Sequence, residues 1–251
     1  RRASGVGATL ANGFAANALD IDDGYRPIKG HPGACVLPPL LAAAELAGDV
    51  SGREFLVALV IGYEIGIRAG LIRHARHATY HSSGSWGAIA GAAAAGRLFE
   101  LSPEVLRDAL GAAEYHAPIA PMMKAIAKPC MAKDSIGWGA MAGMVSVLMA
   151  RCGFTGVQPL FDDAPDPEWV FGLGRQYEIL NVYFKRYACC RWAQPAIAGA
   201  RLVAEQNRLS PGDIAAIRVR TFKEATCLSR THPRNTEEAQ YNLSYPVAAT
   251  V

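Results

Sequence analysis

Trp86-Gly-Ala-Ile-Ala-Gly-Ala-Ala-Ala-Ala-Gly-Arg-Leu98 decides the fold. Alanine is the strongest helix former, so the run reads as a helix. Gly87 and Gly91, four apart, give that helix a stripe of small residues on one face. Facing stripes of this kind let helix axes approach more closely than the ridges of a Leu-rich bundle allow. The device recurs outward along the chain. Gly62 and Gly66 share a face of a helix predicted over 52–71, and 137–151 forms another small-residue helix closed by Gly153. Membrane helices use the same stripes. Here Glu64, Arg68, Arg97 and Glu100 interrupt them, and the longest apolar run, Phe55 to Tyr63, is far shorter than the ~20 residues a bilayer requires. Residues 1–155 are therefore expected to form one compact helical domain with no membrane partner.

Start signals support this division. Ser51-Gly-Arg-Glu54 is a capping box, and Ser102-Pro103-Glu104 sets a capping hydroxyl before a first-turn proline. Pro38-Pro39 is read as opening a short apolar helix that ends near Gly48, and Ala8 to Leu19 as the first helix. Arg1-Arg2 and the stretch after it imitate a signal peptide, but Asn12, Gly13 and Asn17 are too polar for a secretory core. The chain lacks an initiator Met, starts inside a helix and stops at Val251 within an apolar segment, so a fragment of a longer protein is expected.

Beyond residue 155 the composition changes. Gln158 to Arg175 is a loop rich in Asp, Pro and Gly; Tyr177 to Tyr187 reads as a strand; Trp192 to Gln206 reads as a helix. Ser210-Pro-Gly-Asp213 is a turn, and Ile214 to Phe222 alternates like a strand. Residues 156–251 are thus expected to be a smaller, truncated α+β lid domain on a mainly α protein.

Composition excludes several functions. The 251 residues are 51% hydrophobic and 19% charged, a globular balance. The 25 basic and 22 acidic side chains leave a net +3, without a basic block, so nucleic acid is not an expected partner. Six cysteines without C-x-x-C spacing point to reduced thiols and a cytoplasmic setting rather than a disulfide frame or zinc. No dinucleotide, P-loop or nucleophile-elbow motif occurs. His74, His77 and His81 have helical spacing but no carboxylate nearby in sequence, so no metal is expected there.

Three polar segments interrupt the small-residue stretches: Asp20-Ile-Asp-Asp23 with His31-Pro-Gly, Tyr80-His-Ser-Ser-Gly84, and Lys124 to Asp134. Each precedes a helix, where free amides and the helix dipole favour an anion. Singly, each also reads as a solvated turn or cap. Together they point to a cleft for a small molecule bearing carboxylates.

The run Asn12-Gly-Phe-Ala-Ala-Asn-Ala-Leu-Asp-Ile-Asp-Asp23 with His31-Pro-Gly-Ala resembles the signature of the MmgE/PrpD family. The likeness continues through Gly62-Tyr-Glu, Tyr80-His81-Ser-Ser, Lys133-Asp-Ser-Ile-Gly-Trp-Gly, Phe184-Lys185-Arg-Tyr-Ala-Cys-Cys-Arg-Trp and Glu238-Ala-Gln-Tyr-Asn-Leu-Ser-Tyr245. That family includes 2-methylcitrate dehydratase, cis-aconitate decarboxylase and iminodisuccinate epimerase. The resemblance implies a helical main domain with an α+β lid, a cleft between them, a homodimer, no cofactor and a small di- or tricarboxylate substrate. By position it implies Asp20, His31, His81, Lys133 and Tyr245 as catalytic residues, and Lys128 (as fallback for Lys133), Lys185, Gly24 and Cys190 as substrate contacts. Gly24 stands where several members carry Thr, Cys190 where the decarboxylase-like members carry a His of the lid, and Gln194 where many relatives carry His.

The implied chemistry is removal of a proton or carboxyl beside a carboxylate, with cationic groups stabilising the charge that builds. Lys133 and Lys185 would hold carboxylates; His31 and His81 would exchange protons. Asp20 would orient a histidine or act as base, and Tyr245 would protonate a leaving group or carbanion. The main expectation is a hydro-lyase acting on a 2-methylcitrate-like acid. The alternatives are an epimerase or decarboxylase on a related acid, or an inactive carboxylate-binding or dimerisation module.

Overall fold

The computed structural model describes residues 3–251; Arg1 and Arg2, the basic pair that opens the sequence, lie outside the described residues. The chain divides into two compact units. The first comprises the described residues up to Ala18 with Asp22–Met122 and Asp134–Phe184; the second comprises Leu19–Ile21, Met123–Lys133 and Lys185–Val251. The sequence reading put a boundary at residue 155. In the structure 156–184 packs with the helical unit: Leu160 is buried and its N–H donates to Glu114 Oε2 at 2.6 Å.

The helical unit contains α1 (Gly5–Asn17), α2 (Pro32–Ala47), α3 (Gly52–Arg76), α4 (Gly84–Leu98) and α5 (Pro103–His116). A short α6 (Met122–Ala127) follows, then α7 (Ile136–Ala150) and a one-turn α8 (Glu168–Phe171). α4 is the centre, packed by α2, α3, α5 and α7. Ala88, Ala92 and Ala95 have no exposed surface. A Cβ added to Gly143 of α7 would lie 2.3 Å from the Ala88 carbonyl, so these backbones meet directly. The small-residue stripe does what its spacing implies.

Both capping signals form. Ser51 Oγ accepts the Glu54 N–H at 3.2 Å while Glu54 Oε2 accepts the Ser51 N–H at 2.9 Å. Ser102 Oγ accepts the Val105 N–H. Pro38-Pro39 does not open a helix: α2 starts at Pro32 and carries both prolines inside it. Each interior proline removes a ladder donor. Both are buried, and a Cβ on Gly91 would strike the Pro39 ring at 2.7 Å, so the glycine stripe of α4 makes room for that ring. By length and composition α3 would suffice to cross a bilayer, but it is a core helix. Its Glu64 and Arg68 form a buried ion pair at 2.9 Å.

The strand expected over Tyr177 to Tyr187 is not formed as such. Glu178–Asn181 is a 3₁₀ turn, and only β2 (Tyr183–Phe184) is extended, pairing antiparallel with β1 (Asp23–Gly24). Tertiary bonds override the local pattern: Ile179 N–H donates to Glu64 Oε1 at 2.9 Å, and Tyr25 donates its hydroxyl to the Glu178 carboxylate.

The second unit contains α9 (Gln194–Asn207), α10 (Thr236–Gln240) and α11 (Ser244–Ala248). The Ser210–Asp213 turn forms, with Asp213 Oδ2 accepting from the Ser210 N–H and hydroxyl. Among the described residues the unit contains no strand. Ile214 to Phe222 is irregular and has no ladder partner; one isolated bridge joins Ser229 to Asn242. The fold is mainly helical, and the strand component expected of the lid is absent from the described residues.

Candidate functional site

The helical unit holds Gly24, His31 and His81; the second unit holds Asp20, Lys128, Lys133, Lys185, Cys190 and Tyr245.

His31 is the residue before α2 and is buried. Its Nδ1 lies 2.6 Å from the Asp23 carbonyl. A carbonyl only accepts, so Nδ1 carries a proton and, in the neutral ring, Nε2 is the basic nitrogen. Asp22 Oδ2 is 3.8 Å from Nδ1, an ion pair when the ring is protonated. The Asp23 carboxylate accepts from Gly33 N–H at 3.0 and 3.1 Å and from the Tyr63 hydroxyl at 2.8 Å. Burial raises the Asp23 pKa, partly offset by the Tyr63 bond and by His31. Asp23 thus pins the start of α2 while its carbonyl orients His31.

His81 leads into α4, and its loop is tied to the His31 loop because His31 N–H donates to Ser83 Oγ at 3.2 Å. The rings themselves have different partners. His81 Nδ1 is 2.6 Å from Ser85 Oγ, and its ring stacks on His74 with centroids 4.1 Å apart. Burial lowers the pKa of both imidazoles, His74 to about 4. His74, His77 and His81 form an aromatic cluster, with the rings of His74 and His81 stacked face to face.

Gly24 lies in β1 beneath Tyr183; an added Cβ would sit 2.4 Å from the ring carbon Cζ. Tyr183 fills the space a side chain at position 24 would need.

In the second unit Asp20 and Lys185 form a buried ion pair, Nζ to Oδ1 2.6 Å, with Nζ also 2.9 Å from the Asp20 carbonyl. Lys133 Nζ donates to Gln240 Oε1 at 2.5 Å, and Gln240 accepts the Cys190 N–H on its carbonyl at 2.9 Å. Asp20 and Lys133 have φ of 51° and 41°, left-handed values that cost about 1–3 kcal/mol in residues with a Cβ. Cys189, beside this pair, is pushed up to about 12 by burial, so it is no thiolate nucleophile. Gln194 staples the Tyr187–Cys189 loop, its Nε2 donating to the Tyr187 carbonyl at 2.7 Å and the Cys189 carbonyl at 3.1 Å. Lys128, at the end of α6, and Tyr245, in α11, are exposed.

Residue reasoning missed Gln240 and Ser85. Gln240 stands inside the Glu238–Tyr245 motif, and Ser85 stands one helical turn after His81, which is the signal that could have found it.

Models of the MmgE/PrpD N-terminal domain match residues 1–175, and models of the C-terminal domain match residues 187–251. The chain belongs to the MmgE/PrpD family. Among similar proteins, the cis-aconitate decarboxylase-like protein oryM of Aspergillus oryzae is 29% identical over 75% of this chain and 44% of its own length. Cis-aconitate decarboxylase of Aspergillus terreus is 27% identical over 74% of this chain and 42% of its own. That of Mus musculus is 27% identical over 97% of this chain and 54% of its own. The chain spans about half the length of these relatives. The MmgE/PrpD assignment agrees with the motif resemblance; the named relatives are decarboxylases rather than dehydratases.

Proposed function

We propose that the protein acts as a lyase on a small di- or tricarboxylate, releasing carbon dioxide from a cis-aconitate-like acid rather than water from a 2-methylcitrate-like one. The observation that carries the chemistry is His31: a buried imidazole whose Nδ1–H is held by the Asp23 carbonyl, with a carboxylate at 3.8 Å to stabilise its protonated form. The names of the relatives favour decarboxylation.

In that reaction the bond from carbon to the departing carboxylate breaks and its electron pair stays on carbon, spread towards a neighbouring carboxylate. A cation must stabilise this charge and an acid must protonate the carbon. Imidazolium His31 is the assigned proton donor and Lys133 the assigned carboxylate-binding cation. The ammonium of Lys185 is held by Asp20, so this pair is assigned to positioning first and charge second. His81 is the second proton-transfer group.

The test is incubation of the full-length protein with a panel of di- and tricarboxylic acids in heavy water, followed by NMR. Carbon dioxide release with one deuterium in the product supports the reading, together with a loss of at least about 100-fold in kcat for His31→Gln. Loss of water, deuterium exchange without group loss, or binding without turnover would replace it by the dehydratase, epimerase or binding-module reading respectively.

A further inference from the structure

We propose that Ser85 is a positioning residue that holds His81 in one orientation and one tautomer for proton transfer. The inference deepens the function proposed above and rests on His81 being a proton-transfer group. The geometry is local and closed. Ser85 is the second residue of α4, and its N–H donates to the Ser82 carbonyl at 3.1 Å, which turns the chain so that Oγ reaches back to the ring four residues earlier. Oγ and Nδ1 are 2.6 Å apart, and the two residues are 0% and 1% exposed.

The faces and edge of the ring are also fixed. His74 stacks on it with an interplanar angle of 8°, and His77 meets it edge-on at 86°. His74 donates Nε2–H to the Ile28 carbonyl at 2.7 Å, and burial keeps it neutral at pH 7, so the stack carries no like-charge repulsion. The charged and titratable groups around this pair include Arg73 of α3, His77 just past its end, Tyr80 and Lys29 of the loop before α2. A ring clamped in this way keeps its Nδ1 edge against Ser85.

His81 Nε2 is buried and has no hydrogen-bond partner among the described residues. In the inferred arrangement the Ser85 hydroxyl donates to Nδ1, which puts the proton of neutral His81 on Nε2 and leaves that nitrogen for proton transfer. Ser85→Ala removes the hydroxyl that meets Nδ1 and frees the tautomer.

Two readouts test this on the full-length protein. With 15N-labelled histidine, NMR is expected to show His81 as the Nε2–H tautomer in the wild type, a mixture in Ser85→Ala, and the wild-type form again in Ser85→Thr. In turnover of the acid identified by the panel, Ser85→Ala is expected to lower kcat by about 30-fold with KM within about twofold, and Ser85→Thr to recover most of it. An Nδ1–H tautomer in the wild type, or a Ser85→Ala protein with unchanged kcat, pH profile and tautomer, would overturn the inference. Full activity in His81→Gln would instead remove His81 from the proposed mechanism, while the NMR result would still decide whether Ser85 sets its tautomer.

Discussion

In the helical unit the polar groups of interest stand at helix starts: His31 before α2, His81 and Ser83 before α4. In the second unit they stand on bends, with Asp20 and Lys133 in left-handed backbone and Lys185 in the segment before α9. The first arrangement borrows precision from helices packed backbone to backbone. The second depends on side-chain charge to hold strained backbone, as in the Lys185–Asp20 pair with exposures of 0% and 1%. The buried imidazoles are therefore secured by the fold, whereas the buried cation helps to secure its own unit.

The largest expected effect separates these two modes. Lys185→Met removes the ammonium from its buried ion pair with Asp20 and is expected to cost about 3–5 kcal/mol, read as a lower urea midpoint. Asp20→Asn combined with Lys185→Met is expected to recover a large part of that loss. If the single variant unfolds at the wild-type midpoint, the contrast between the units disappears.

A smaller effect sharpens the helical side. Gly24→Thr places a Cβ about where the Tyr183 ring lies and is expected to cost about 1–3 kcal/mol. Tyr183→Ala in the same chain should relieve it, so a double-mutant cycle is expected to show coupling of about 1 kcal/mol or more. Additive effects would mean that Tyr183 is not the group that requires glycine at 24.

The smallest effect is on pH dependence. His74 titrates near 6.5 when unfolded and at about 4 in the fold because burial disfavours its charge. Above pH 6.5 both states are neutral. As pH falls from 6.5 towards 4 the unfolded chain binds a proton that the fold refuses, so stability declines through that window. His74→Phe is expected to flatten the decline without abolishing it, since burial lowers His81 in the same direction. An unchanged slope would show that the imidazole stack is not a stability-linked group.

Much of the helical unit was legible because its signals are local. Ser51 and Glu54 cap a helix through bonds that span three residues, and a run such as Gly87 to Gly96 has few other uses. Pro38-Pro39 misled because a proline pair usually marks a start; within α2 the space over Gly91 accommodates the Pro39 ring. Tyr177 to Tyr187 misled because Glu64 and Tyr25, distant in sequence, take the bonds a strand would have offered to a neighbour. For the site, spacing and motif picked out Asp20, His31, His81 and the lysines, but not Gln240 beside Lys133 or Ser85 beside His81, nor that Asp20 and Lys185 pair with each other.

The amino-acid sequence by itself determined the mainly helical class, the small-residue packing of α4, the caps of α3 and α5 and the family, because each depends on residue type and short-range spacing. Only the tertiary structure decided that Lys185 is bound to Asp20, that Gln240 meets Lys133, and that His81 is stacked on His74 rather than placed as a ligand. Those pairings join residues up to 165 positions apart, and direction and burial, which set both charge and reach, exist only once the chain has folded.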